Sequence, residues 1–460
     1  MPILGTHNAY TVIRPMRAHD VDAETLYIIK TDNMKSISTC FLIVLLIISC
    51  SSPEKRDNVF VVNQPAEFET QEAIWLIWPS MDHKEGESVE HVTLSIIEAL
   101  IDDINIVVTC KDKDLLNAAK QTLKNRFGEQ PRITFLEIPS FEIWTRDMGP
   151  IFVETNKNTL AIADFNFNSW GYSDTLDIDT KIEEMYDVRV AEHFNFPVIS
   201  SSMISEGGNR EVNGKGTLIT TESVEEGRNP SMSKLEMETE YKRLLGVKKV
   251  IWLKQGLVED DHTFLGQITT SDETKAYTVV TTNGHIDEFA RFVNDSTILL
   301  AQIDSTELGD PIAFENHKRI EENYQILSEA TDQDSKPFTI IRMPLPGTIC
   351  STMSPGDYVY EYIKTLDYKD GSTFPKGDTV KVIAALSYLN FIITNTVVIG
   401  QTCWREGMPN DLKLKDERAA QILQSVFPNR KVKMIDALAV NLGGGGIHCI
   451  SMQQPAFPRN

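Results

Sequence analysis

The order of apolar patterns along this chain predicts an α/β fold, on three observations. Strand-length runs rich in Ile, Val, Leu and Phe recur from residue 58 onward, amphipathic stretches with apolar residues every three or four positions fall between them, and the two kinds alternate. In chain order, strands are expected at 58–62 and 74–78, a helix at 89–101, a strand at 104–109 and a helix at 113–126. Strands at 160–165 and 217–221 precede a helix at 234–245 and a strand at 249–253. Short runs at 278–280 and 296–301 then lead to a helix at 316–331 and a strand at 338–342. Runs at 391–393 and 396–399 and a helix at 412–427 close the pattern. Length alone, with roughly 400 residues carrying this pattern, would suggest two domains.

The N-terminal region has a different character. Met34-Lys35-Ser36-Ile37 leads into Phe41-Leu42-Ile43-Val44-Leu45-Leu46-Ile47-Ile48-Ser49-Cys50, a basic start, an apolar core and a small residue before cysteine, which is secretory signal architecture. The run is about 13 residues, short of the ~20 a helix needs to cross a bilayer. Its end, Ile48-Ser49-Cys50 followed by Ser51-Ser52-Pro53, resembles a bacterial lipoprotein signal. On that resemblance 34–49 is a signal peptide, Cys50 is the lipidated residue and 50–60 is a tether, which leaves 61–460 as the folded domain. The protein would be exported and held on a membrane by its lipid. Ser51, where an aspartate can retain such proteins at the inner membrane, points to the outer membrane or cell surface. The alternative is a buried strand ending in cysteine. Residues 1–33 have neither periodicity nor targeting logic, so they are expected to be a non-native or dispensable extension.

A net charge of −22 argues against nucleic acid as a partner and suits a cationic one, although solubility alone explains the same balance. Six cysteines with no CxxC spacing indicate neither a zinc ribbon nor a disulfide framework.

The chemistry is concentrated in a few segments. Asn441-Leu442-Gly443-Gly444-Gly445-Gly446-Ile447-His448-Cys449-Ile450 delivers a cysteine from a glycine run, where backbone must approach something closely, a ligand being the first expectation. Upstream lie Trp144-Thr145-Arg146-Asp147-Met148-Gly149-Pro150, Glu206-Gly207-Gly208-Asn209 and Gly284-His285-Ile286-Asp287. Together they offer one thiol, one imidazole and three carboxylates, a constellation for a cation. Were that cation a guanidinium, which stays protonated and is a poor electrophile, enclosing it would require carboxylates that match its planar N–H pairs, and Asp147 and Asp287 are the candidate clamps. Attack on its carbon needs a soft nucleophile, Cys449, whose thiolate form a bound cation would favour. Ammonia leaves only if protonated, and His285 is the candidate acid, then the base for the hydrolytic water. Glu206 would orient that imidazole or hold a substrate nitrogen.

Other readings of these residues stay open. Histidine, cysteine and carboxylates also bind zinc, but there is no HExxH, and His448 would face away from Cys449 on a strand. Neither a metal nor a cofactor is therefore expected. A thiol oxidoreductase would want a resolving cysteine, and Cys403 is 46 residues from Cys449. A non-catalytic surface-binding lipoprotein would be expected to have lost one of the five residues.

These segments, in this order, resemble the agmatine deiminase and bacterial peptidylarginine deiminase family. Pro65-Ala66-Glu67-Phe68-Glu69, Phe167-Asn168-Ser169-Trp170-Gly171, Asn213-Gly214-Lys215-Gly216-Thr217 and Gln453-Gln454-Pro455 extend the resemblance across most of the chain. It implies one pentein domain rather than two, a five-bladed pseudo-symmetric propeller of ββαβ modules. It implies the same roles for Cys449, His285, Glu206, Asp147 and Asp287, with Trp144 and Trp170 walling the pocket. The reaction implied is hydrolysis of a guanidino group through a cysteine thiouronium intermediate. Agmatine, giving N-carbamoylputrescine and ammonia, is the expected substrate, because the segment around Trp170 carries no arginine; peptidyl-arginine, giving citrulline, is the alternative. Arg210 departs from the agmatine-type pattern and is the candidate partner for a substrate carboxylate.

Overall fold

The computed structural model describes residues 59–457. The expected extension at 1–33, the signal at 34–49, Cys50 and most of the tether lie outside the described residues.

One supersecondary unit recurs through the described chain: an antiparallel strand pair, a helical crossover, and a return strand parallel to the second member. Ile151–Thr155 and Leu160–Asn166 pair antiparallel, and helices Ile178–Glu184 and Tyr186–Phe194 return the chain to Val198–Ile204, parallel to Leu160–Asn166. Val61–Asn63 adds an edge strand against Ile151–Thr155. Glu211–Val212 and Thr217–Thr221 repeat the unit through Glu222–Arg228 and Lys234–Leu245 to Lys249–Leu253. Ala290–Asn294 and Thr297–Gln302 repeat it through Pro311–Glu329 to Thr339–Pro344. Ile392–Ile393 and Val397–Thr402 do so through Asn410–Val426 to Lys431–Asp436. In the last instance the first strand comes from the far end of the chain. Met452–Pro455 pairs with Gln71–Ile77, which continues through Val89–Leu100 to Asn105–Cys110 and through Lys113–Phe127 to Ile133–Glu137. That pairing seats Cys449, three residues before the closing strand, against the start of the domain.

A further sheet, Ile268–Thr269, Lys275–Thr278, Val380–Ile383 and Cys350–Met353, does not follow the unit, since its central parallel pair is joined by more than a helix. The described residues cluster as one compact unit, where length had suggested two domains.

Local chemistry explains the helices that were legible. Lys234–Leu245 begins at Ser233 with a reciprocal capping box to Glu236 and ends at Gly246 in the left-handed region. Val89–Leu100 starts at Ser88 and buries Val89, Val92, Ile96, Ile97 and Leu100 along one stripe. Strands 217–221 and 249–253 and helix 234–245 match the sequence expectation residue for residue. The run expected at 278–280 instead ends its strand at Thr278, because Thr282 N and Gly284 N turn inward to donate to the Asp260 carboxylate at 2.8 and 3.0 Å.

Candidate active site

Cys449 sits in a turn with its side chain buried at 5% exposure, so the partly exposed thiol the glycine run suggested is a buried one. What approaches those glycines is largely the protein itself. A Cβ would lie 2.2 Å from the His83 ring at Gly443, 1.8 Å from the Val280 carbonyl at Gly444 and 2.3 Å from Asn390 Oδ1 at Gly446. At Gly445 it would press on Cys449 Sγ and Trp144, both at 2.9 Å. Gly443 and Gly444 also line the cavity described below.

Four groups surround the sulfur, the farthest being Glu288 Oε1 at 3.9 Å. Asn390 Nδ2 donates to Sγ at 3.1 Å and Gly446 N at 3.4 Å, while Asp287 Oδ2 lies 3.6 Å away. Burial, then the neighbouring Asp287, Glu288 and Asp147, pushes the thiol well above the usual cysteine range. Without a cation in the site, Cys449 is a thiol.

His285 lies between the Asp147 and Glu206 segments. It precedes a single 3-10 turn, Ile286–Glu288, with Nδ1 3.8 Å from Asp147 Oδ1 and Nε2 3.5 Å from Glu206 Oε2. Burial disfavours its charge, but Asp147 and Glu206 outweigh that and push it up to about 9. Gly208, packed on this imidazole, donates its N–H to Asp147 Oδ1 at 2.8 Å. Asp147 Oδ2 accepts from Trp170 Nε1 at 2.8 Å, and Trp170 itself adopts φ +54° to reach it. Burial raises Asp147 above the ordinary carboxylate range against the pull of His285.

Glu206 is fully buried and paired with Arg228, Nε to Oε1 at 2.6 Å. Burial opposes its charge, yet Arg228 and His285 hold its carboxyl down at about 2. Arg228 also donates to the Thr282 carbonyl at 2.7 Å, which ties the Glu206 loop to the His285 loop.

Asp287 receives His448 Nδ1 at 2.7 Å, and His448 Nε2 meets Glu67 Oε2 at 2.9 Å. Burial raises the Asp287 carboxyl, but His448 more than offsets it and the net shift is down. His448 does not point away from its neighbour Cys449 as a strand would require: residues 447–450 form a turn, and both side chains reach Asp287 Oδ2. The other oxygen of Asp287, Oδ1, is buried and has no hydrogen-bond partner among the described residues.

Asp287, Glu288 and Cys449 bring three potential metal ligands within 4.8 Å of one another, the one such group among the described residues. The amide nitrogen of Asn390 already sits among them, donating to Asp287 Oδ2 at 3.2 Å, Glu288 Oε1 at 2.9 Å and Cys449 Sγ at 3.1 Å. A metal on these atoms would have to displace it, so the donor set does not fit a resident ion.

Cys449 and Asp147 open onto a cavity of about 540 Å³. Trp144, Phe167, Trp170, Tyr172, Tyr358 and Tyr362 wall it. Trp144 lies edge-to-face with Trp170 at 6.4 Å between centroids and stacks parallel on His83. The lining carries the carboxylates Glu142, Asp147, Asp177, Asp179 and Glu183 and no lysine or arginine. Burial, with Glu142 nearby, pushes Glu183 up to about 7.

Arg210 is the site expectation that the structure corrects. Like Glu206, His285 and Asp287 it does not line this cavity; unlike them its Nη1 is spent on Ser205 O at 2.6 Å and Ser205 Oγ at 2.8 Å, and its guanidinium lies over Phe165 at 4.5 Å. Ser205 thus supplies acceptors for Nη1, while Nε and Nη2 are buried with no hydrogen-bond partner among the described residues. Asn390 and Arg228 were missed by sequence reasoning, which had no chain-local signal for them, Asn390 being 59 residues from Cys449 and Arg228 22 from Glu206, while Glu288 and His448 adjoin Asp287 and Cys449 but were given no part in the site.

With this geometry described, comparison with known proteins decides the family. The profile of the Porphyromonas-type peptidyl-arginine deiminases matches residues 63–455. The chain belongs to that family. It is 32% identical over 409 residues to the agmatine deiminase of Medicago truncatula, covering 86% of this chain and 96% of the relative. It is 29% identical over 416 residues to the agmatine deiminase of Pseudomonas aeruginosa, covering 88% and 99%. Among solved structures, the agmatine deiminase of Enterococcus faecalis superposes with a TM-score of 0.65 at 26% identity, over 85% of this chain and 95% of that one. The fold is thus the α/β pentein fold, and the chain is a hydrolase of guanidino C–N bonds.

Proposed function

We propose that this protein deiminates agmatine to N-carbamoylputrescine and ammonia through a covalent intermediate on Cys449. The observation that carries the substrate choice is the cavity lining, with five carboxylates and no lysine or arginine around a buried cysteine. A dication with guanidinium and ammonium ends suits such a lining. A substrate bearing an α-carboxylate would bury an anion without a partner, at a cost of several kcal/mol.

The guanidinium is placed between Asp147, which lines the cavity, and Asp287, whose buried Oδ1 has no hydrogen-bond partner among the described residues. Its charge offsets the carboxylates that keep the thiol protonated, so Sγ loses its proton to water in the cavity and adds to the guanidinium carbon. The C–S bond forms. His285 passes its proton to one amino nitrogen, the C–N bond breaks and ammonia leaves, giving a thiouronium. Neutral His285 then takes a proton from a water that adds to the same carbon. The C–S bond breaks, the thiolate is released, and the urea-type product sheds a proton to solvent. Glu206, held by Arg228, keeps His285 oriented and charged. Trp144 and Trp170 face the cation across the cavity.

The test is kcat/KM for agmatine, free arginine and a short peptide ending in arginine. Agmatine should exceed the others by about 10²-fold or more, and Arg210→Ala should leave that ratio unchanged because Arg210 faces Ser205. Preference for the peptide would instead make this a peptidylarginine deiminase with the same chemistry.

The repeated strand pair, helix and parallel strand supports a five-bladed arrangement around a pseudo-fivefold axis, with 61–460 as the catalytic domain; an experimental structure lacking that axis would refute it. The pattern at 34–50 supports export as a lipoprotein acylated on Cys50, at the outer membrane or cell surface. Among the described residues no helix is long and apolar enough to cross a membrane, so an anchor would be the lipid. Mass spectrometry of membrane-purified protein should find a chain beginning at Cys50 plus lipid, and a soluble chain retaining 1–33 would overturn this.

A further inference from the structure

Ser169, Trp170 and Gly171 stand together in the left-handed region, at φ +51°, +54° and +83°. Ser169 and Trp170 carry side chains that rarely tolerate it, and such an outlier persists only where its surroundings impose it. Two local bonds hold the turn: Gly171 N donates to Asn168 Oδ1 at 2.9 Å, and Ser169 Oγ meets Thr180 Oγ1 at 2.7 Å. A third comes from 92 residues away, where His262 Nε2 lies 2.9 Å from the Trp170 carbonyl. A carbonyl can only accept, so Nε2 carries the hydrogen. Arg228 Nη1, 3.3 Å from the same nitrogen, therefore finds no lone pair there and sits against the ring as a charge. Burial, then Arg228, holds His262 down at about 4, so around neutral pH the imidazole is uncharged. The ring is fixed in turn, stacked on Phe264 at 4.4 Å between centroids and edge-on to Tyr172 at 5.3 Å. A Cβ on Gly171 would lie 3.2 Å from His262 Nε2 and 3.1 Å from Arg228 Nη1, so turn, imidazole and guanidinium pack against one another.

We propose that His262 is a positioning residue: by donating to the Trp170 carbonyl it holds Trp170 in the left-handed conformation that keeps the indole N–H on Asp147 and the indole ring on the cavity wall. Without that donor the turn loses its long-range backbone bond, and relaxation of Trp170 to an ordinary conformation carries the indole off Asp147 Oδ2, which it now meets at 2.8 Å. Asp147 then keeps the Gly208 N–H on Oδ1 but nothing from Trp170 to fix the plane of its carboxylate. The side chain that faces the substrate and the carboxylate that clamps it are thus set by one imidazole that does not line the cavity. His262 opens the segment that carries Ile268–Thr269 and Lys275–Thr278, two strands of the sheet that does not follow the repeated unit, so that sheet's connection reaches the site through this ring.

This rests on the proposed deimination at Cys449, so one arm of its test needs no substrate. Solvent exchange of the Trp170 indole N–H is followed by NMR on the full chain, the resonance being assigned by its absence from Trp170→Phe. His262→Phe, which keeps a stacked ring and removes the donor, should speed that exchange at least about 10-fold, and His262→Gln, whose amide can donate from the same position, should return it to within about threefold of wild type. In the second arm kcat/KM for agmatine should fall about 10- to 100-fold in His262→Phe and recover in His262→Gln. Adding His262→Phe to Trp170→Phe should cause no further fall, since a residue that acts through Trp170 has nothing left to act on. If His262→Phe does not fold, His262→Ala takes its place in both arms. Indole exchange unchanged from wild type in a folded variant would overturn the proposal, whether or not agmatine is the substrate. So would losses that multiply in the double variant, which would make His262 a packing residue only. A wild type that does not turn over agmatine, with the exchange arm as expected, would refute the proposed function and leave the positioning standing.

Discussion

Replacing Arg228 with methionine separates stability from catalysis within one ion pair. Arg228 and Glu206 are both fully buried and meet at 2.6 Å, and Arg228 is also the donor to Thr282 O at 2.7 Å. Removing one partner of a buried pair strands the other charge, at about 3–5 kcal/mol. The lost bond to the Thr282 carbonyl adds about 1 kcal/mol. Arg228→Met should therefore destabilise the fold by about 4–6 kcal/mol, read by urea denaturation. Its turnover should fall at least about 10²-fold, because a neutralised Glu206 no longer holds His285 as an oriented acid. Adding Glu206→Gln removes the stranded charge and should restore most of the stability while restoring none of the turnover. If Arg228→Met costs less than about 1 kcal/mol, the value of an exposed pair, the buried pairing described here is wrong. If the double variant regains activity along with stability, Glu206 has no part in the chemistry.

Two further predictions use the same cluster. Gly208→Ala would place a Cβ 2.5 Å from His285 Nδ1 and 2.9 Å from Asp147 Oδ1, so kcat should fall at least about 10²-fold while overpacking costs about 1–3 kcal/mol in denaturation; near-normal turnover would contradict the placement of His285. His285 is raised from 6.5 to about 9, so its contribution to stability is fully present below about 6.5 and lost as pH rises through about 9, and kcat/KM should decline over the same upper range as the acid is lost. A kcat/KM that keeps rising well past that range would remove His285 as the proton donor.

The legible part of this protein was the part whose signal is local. The capping box at Ser233 and the apolar run 217–221 lie where pattern alone put them. Strands such as Val198–Ile204, with three serines, and Lys431–Asp436, with alternating charge, escaped notice because they are only partly buried and carry little apolar signal. The five residues expected to carry the reaction are brought together within one buried cluster, since each lies beside a glycine or in a short turn that a chemical reading can notice. Asn390 and Arg228 could not be found that way. Their roles come from the sheets that carry distant segments together, and neither asparagine nor arginine stands out in a chain without its fold. Arg210 shows the converse, where adjacency to the Glu206 turn suggested a part in binding but its Nη1 is held by Ser205.

The central claim is a covalent thiouronium on Cys449, and its most direct measurement is the intact mass of the protein quenched during turnover of agmatine. The account predicts a mass increase equal to the substrate minus ammonia, localised to the peptide carrying Cys449, and no adduct and no ammonia release from Cys449→Ala, while Cys350→Ala, altered at an exposed thiol, behaves as wild type. Cys449→Ala retaining even about a tenth of the wild-type rate, a loss of only about 1.4 kcal/mol in the barrier, would contradict it.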